Sequence, residues 1–151
     1  MKKLNNKGFT LVEVIAVVVI MAILAIILIP NVTNYINKGR DDALDGLKKS
    51  VVIAAKEFIN DNRYNINLTG STGNYVIGLE GINGNKISVR TLLDRGYLSA
   101  SGTDGNVVYI SSPNNQNSYL DLYNSYVEVS FDDTINDFKF GDAVLVWDEK
   151  D

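Results

Sequence analysis

The chain of 151 residues contains neither cysteine nor histidine. Thiol nucleophiles, the usual zinc sites and serine–histidine triads each need one or the other, so those chemistries are excluded. Carboxylate or lysine chemistry survives that filter, yet no motif positions it, and no enzymatic activity is expected. Secreted domains often gain stability from disulfides, whereas this chain has to rely on its apolar core or on ions. Basic side chains are missing from one further place. None occurs between Thr10 and Asn37, although an acid, Glu13, stands in that stretch.

What surrounds Glu13 is an apolar run from Phe9 to Ile29 in which only Thr10 and Glu13 are polar. As a helix rising ~1.5 Å per residue, it would be about 30 Å long, enough to cross a bilayer. A secretory signal has a shorter apolar region followed by small residues at a cleavage site, and Pro30-Asn31-Val32-Thr33 does not fit that description. Lys2, Lys3 and Lys7 precede the run and predict a cytoplasmic N-terminus with everything after Asn31 outside. A permanent single-span anchor would explain the lysines and the span equally well. It predicts neither glycine before phenylalanine at Gly8-Phe9 nor an acid inside the span.

An ionised carboxylate in hydrocarbon is costly, and such acids mark function by default. Thr10-Leu11-Val12-Glu13 also fits the capping box, in which the glutamate reaches back to the start of the helix. Capping accounts for a glutamate near a helix start but not for the Lys7-Gly8-Phe9 junction upstream. Cleavage after Gly8 would give Phe9 a new α-amino cation able to pair with Glu13 of the same or a neighbouring copy. The two roles are compatible, and together they suggest processing followed by assembly.

The stretch from Lys2 to Pro30 resembles the class III signal of type IV pilins and of the related secretion and competence pseudopilins. The resemblance implies an α+β, pilin-like fold: a long N-terminal helix, hydrophobic then amphipathic, packed on an antiparallel β-sheet head. It further implies cleavage between Gly8 and Phe9 by a membrane-embedded prepilin peptidase, N-methylation of Phe9, and an assembly charge pair between Glu13 and the Phe9 amine of an adjacent subunit. Pro30 falls where the family carries a helix-bending proline. Implied partners are other pilin subunits, including minor pilins, an assembly ATPase and a platform protein. The implied location is a single-pass inner or cytoplasmic membrane protein before assembly, then a cell-surface adhesion or motility fibre. Alternatives are a pseudopilin of a type II secretion or competence system and a membrane-anchored binding domain that never polymerises.

The regions expected on this reading are a leader at 1–8, a membrane and polymerisation helix at 9–30, its amphipathic continuation at 31–60 and a β-sheet head at 61–151. The continuation carries Tyr35, Ile36, Leu44, Leu47, Val51, Ala54, Ala55, Phe58 and Ile59 near helical spacing. Pro30 lacks an amide proton, so a bend or local melting is expected near Leu28 to Val32. Asp45 and Lys49 stand in the favourable order for an i,i+4 pair.

The whole chain has 14 basic and 18 acidic residues. Without the three leader lysines the balance is 11 against 18, and the excess lies beyond Asn60. A negative head is a poor match for phosphate backbones, so no direct nucleic-acid binding is expected of it.

In the head, strands are expected at Asn74–Leu79, Asn106–Ser111, Ser118–Tyr123, Tyr126–Phe131 and Ala143–Trp147, with Asn124-Ser125 as a hairpin turn. Ile87 to Leu98 reads as a short helix stopped by Gly96. Asp132, Asp133, Asp137 and Asp142 offer oxygen ligands that calcium favours, in a spacing that matches no calcium loop. An acidic, solvated loop is the simpler reading, and no other metal or cofactor is expected.

Overall fold

A computed structural model of the chain describes residues 9–105, 107–115 and 117–149. The chain divides into two compact units, Met1–Gly39 and Arg40–Asp151. The long helix α1, Leu11–Asp61, begins in the first and ends in the second. Its helical backbone continues across Pro30, so the local melting expected between Leu28 and Val32 is not found. Continuity is possible there because a proline removes one hydrogen bond while the flanking turns keep theirs. At its far end, Asn62 closes α1 by donating from both its backbone N–H (3.2 Å) and its side-chain amide (2.8 Å) to the Phe58 carbonyl.

In the second unit the apolar stripe of α1 enters the core with Val51, Ala54, Ala55, Phe58 and Ile59 buried and Leu47 packed alongside. The stripe starts later than its sequence suggests, since Tyr35 and Ile36 are 77% and 50% exposed. Both lie in the first unit, whose described residues form no strand. The Asp45–Lys49 pair is absent from the ion pairs of the described residues; the i,i+4 pair that does form is Arg90–Asp94, at 2.8 Å. Gly46 faces open space, with no atom within 4 Å of a β-carbon built upon it. Gly46→Ala is therefore expected to stabilise this unit by about 1 kcal/mol, read as a rise of a few degrees in thermal midpoint.

After a 3-10 turn at Arg63–Asn65, the chain forms β1 (Asn67–Ser71), β2 (Asn74–Gly78), β3 (Ile82–Asn83) and β4 (Lys86–Ser88). Helix α2 (Val89–Asp94) follows, then β5 (Gly102–Asp104), β6 (Val107–Tyr109), β7 (Ser118–Leu120), β8 (Tyr126–Asp132), β9 (Asp137–Val144) and β10 (Trp147–Glu149). All pairings are antiparallel, as expected for the α+β class. The strands make four small sheets rather than one: a four-stranded sheet in the order β3-β4-β8-β9, and the pairs β1-β2, β5-β6 and β7-β10. Ile87, Val127, Val129 and Ala143 from the largest sheet meet Phe58, Ile59 and Leu92 in a single core.

Asn85 joins β1-β2 to the rest. It follows Gly84 in a two-residue turn with both φ angles positive, 55° and 61°, the left-handed geometry that asparagine and glycine tolerate best. From there its side chain accepts from the Ile77 N–H at 2.8 Å and donates to the Tyr75 carbonyl at 2.6 Å, pairing with β2 as a strand residue would. Helix α2 is capped at both ends. The Ser88 hydroxyl accepts from the Thr91 N–H, and beyond Arg95 the Tyr97 and Gly96 amides return to the Leu92 and Leu93 carbonyls, with Gly96 at φ 81°.

The expected hairpin at Asn124-Ser125 is not formed, and Ser118–Leu120 pairs with β10 instead of β8. The reason is local. The Asp121 carboxylate accepts from the Tyr123 and Asn124 amides, both at 3.0 Å, and the Ser125 N–H bonds the Asp121 carbonyl at 2.9 Å. These bonds curl 121–125 into a broad turn whose carbonyls receive the first amides of α2, Val89 and Arg90. Ala143–Trp147 is likewise split between β9 and β10, and the segment expected as an acidic loop is the β8-β9 hairpin.

Candidate functional site

Gly8 lies outside the described residues. Phe9, next to it, is 88% exposed. Helix α1 begins two residues on, and its first turn holds a complete capping box. The Thr10 N–H and the Thr10 hydroxyl each donate to Glu13 Oε2 at 2.8 Å, and the Glu13 N–H donates back to Thr10 Oγ1 at 3.3 Å. One carboxylate oxygen thus satisfies both Thr10 donors. The other, Oε1, takes no hydrogen bond from any described residue. Glu13 therefore caps its own helix with one carboxylate oxygen, and among the described residues the other has no donor.

From Leu11 to Ile27 the helix presents apolar side chains on every side, all of them exposed, with Leu11, Val12 and Ile26 at 75% or more. An 18-residue window reaches a mean hydropathy of 3.3 with none of it buried. Exposed apolar surface on this scale calls for lipid or other helices to cover it. Phe9, Glu13, Val14 and Val17 line a shallow, nearly wholly apolar depression of about 660 Å³, so the acid sits within greasy surface.

The C-terminal acids proposed for calcium are not gathered into a site. Asp132 pairs with Lys139 and accepts from the Thr134 N–H at 2.7 Å. Asp133 stands near the Tyr75 hydroxyl and holds the pKa of that phenol above its ordinary value. Asp137 pairs with Arg63 at 2.9 Å and accepts from the Phe138 N–H at 2.8 Å. Asp142 lies apart, beside Lys48, Lys49 and Lys56 of α1. Among the described residues no group of three or more acids could hold a metal ion.

These bonds give the β8-β9 hairpin a pH dependence. The Lys139 ammonium, followed by the Thr134 N–H, lowers the Asp132 carboxyl from its ordinary 3.8 to about 2. An acid lowered on folding contributes stability that is complete above its unfolded pKa and is lost as the pH falls through the folded value. Stability should therefore decline between about pH 4 and pH 2. Asp132→Asn is expected to flatten that limb of a plot of thermal midpoint against pH, and an unchanged acid limb would refute the assignment.

Residues 3–29 match the family described as the prokaryotic N-terminal methylation motif. Neither a curated protein nor a solved structure matches the chain.

Proposed function

We propose, from the class III signal that this motif constitutes at residues 3–29, that the chain is the precursor of a type IV pilin subunit. The signal is characteristic of type IV pilins and pseudopilins, whose precursors a prepilin peptidase processes before they assemble with one another. An apolar helix directly behind such a signal fits anchoring in a membrane before assembly. In this reading the peptidase cuts between Gly8 and Phe9, the new amine is methylated, and Glu13 receives the Phe9 amine of an adjacent subunit. That Glu13 Oε1 accepts from no described residue, at the head of an exposed apolar helix, is the structural observation that supports the pairing. Pro30 supplies a bend that helps neighbouring helices pack, and the head faces outward on a surface fibre used in adhesion or motility.

Mass spectrometry of the native protein tests the reading directly. A mature N-terminus at methylated Phe9 is expected; an intact Met1 terminus on a solitary membrane protein would overturn it in favour of a permanently anchored domain. Gly8→Ala should slow maturation several-fold, because the peptidase needs a residue without a side chain before the cut, and normal maturation of that variant would count against cleavage there. The same signal serves a pseudopilin of a secretion or competence system. Long surface fibres at native expression separate the pilin from that alternative, in which fibres form only on overexpression and deletion impairs secretion or transformation.

A further inference from the structure

The head carries a polar cleft whose lining includes none of the residues proposed for processing or charge pairing. It has a volume of about 570 Å³ and opens between the β3-β4 hairpin and the 121–126 turn, with α2 beneath it. That volume is within the range of small-ligand sites, about 300–1,000 Å³.

The hydroxyls of the floor are already engaged: Ser88 Oγ and Thr91 Oγ1 bond each other at 3.0 Å, and Thr91 also donates to the Gly81 carbonyl at 3.2 Å. The rim keeps its capacity. The Asn83 amide hydrogen-bonds no described residue, and Asn124 gives its amide nitrogen to Asp121 at 2.5 Å, leaving its carbonyl oxygen open. The Lys86 ammonium stands 4.1 Å from the centre of the Tyr126 ring, and its ion pair with Glu128 is long, at 3.8 Å, and exposed.

Tyr123 forms one wall and is 72% exposed. The Arg90 guanidinium lies over this ring, 5.8 Å from its centre, and lines a neighbouring cleft that shares Tyr123. The cation steadies the ring, whose large exposure keeps aromatic surface for the polar cleft.

We propose that this cleft binds a pyranose sugar, stacked on Tyr123 and hydrogen-bonded by Asn83, Asn124 and Lys86. A pyranose has one face of C–H groups, which suits an aromatic ring, and a girdle of hydroxyls that both donate and accept. Amides answer both functions. A peptide ligand would need apolar side-chain pockets, and here Ile82 is the only aliphatic residue in the lining. The Lys86–Glu128 pair leaves the rim without strong net charge, which favours a neutral ligand over an anion.

Tyrosine-labelled NMR of the detergent-solubilised full chain, titrated with lactose, chitobiose and maltose, tests the site without requiring processing or assembly. At least one sugar is expected to shift the Tyr123 and Tyr126 resonances saturably at concentrations up to about 10 mM. Tyr123→Ala should weaken that binding roughly tenfold, while Tyr64→Ala, at a fully exposed tyrosine away from the cleft, leaves it unchanged. Failure of all three sugars to shift these resonances, equal binding by the Tyr123 variant, or saturable binding of a proline-rich peptide in their place would each overturn the proposal.

Discussion

Glu13→Gln is expected to yield a chain that is cut and methylated normally but enters fibres roughly tenfold less well or worse, since the Phe9 cation of the incoming subunit loses its anion. Glutamine is itself a capping-box residue and can still reach the Thr10 N–H, so the helix start survives this substitution. Thr10→Ala does the reverse. It removes the Oγ1 contacts at 2.8 and 3.3 Å and leaves the charge, and should therefore assemble close to wild type. Glu13→Ala abolishes both the cap and the anion and should be the poorest of the three. Fibre yield measured per methylated subunit separates the roles. Wild-type yield from Glu13→Gln would remove the charge-pair mechanism, and equal losses from the glutamine and Thr10 variants would reduce Glu13 to a cap.

Phe58→Ala should strongly destabilise the head. Phe58 is 1% exposed and meets the Tyr97 ring edge-on at 5.5 Å. Deleting such a side chain typically costs about 3–5 kcal/mol, against a total stability of about 5–15 kcal/mol for an ordinary domain. Urea unfolding followed by Trp147, the single tryptophan, reports the change. A loss under about 1 kcal/mol would mean that α1 is not anchored to the head at this point. Tyr35→Ala serves as the contrast: its side chain is 77% exposed and its removal should change little.

The N-terminal region was legible because its signals are local and unusual there. A lone acid in an apolar run, a threonine three residues before it and a glycine–phenylalanine junction can all be read in one short window. Helix α1 was legible for a related reason, since nine apolar positions at helical spacing outweigh the helix-weakening Gly39 and Gly46. Gly96 marked the end of α2 because few other residues accept its φ of 81°.

The sheet connections were not legible, and the cause is strand length. β3 has two residues, and β4, β6, β7 and β10 have three each, too few to establish an alternation. What decides their pairing lies far away in sequence or in side chains that mimic backbone, such as the Asp121 carboxylate that turns 121–125 away from a hairpin. β9 was hidden differently. Its Phe138 and Phe140 alternate properly, but Asp137 and Asp142 gave the segment the composition of a loop, and nothing local says that Asp137 meets Arg63, 74 positions earlier. The same misplaced hairpin concealed the cleft beside Tyr123 and Tyr126, whose walls come together only through the true turn.

The β1-β2 ribbon meets the rest of the head mainly through Ile77, the Tyr75–Phe131 ring contact at 5.6 Å and the bidentate amide of Asn85. Its outer end, Thr72-Gly73, is exposed, and a β-carbon on Gly73 would touch nothing within 4 Å. A segment fastened at its base and unencumbered at its tip can change length without recutting the core. Foreign sequence spliced between residues 72 and 73 would thus ride on the head as a passenger, making this the natural place to attach an epitope or a fluorophore.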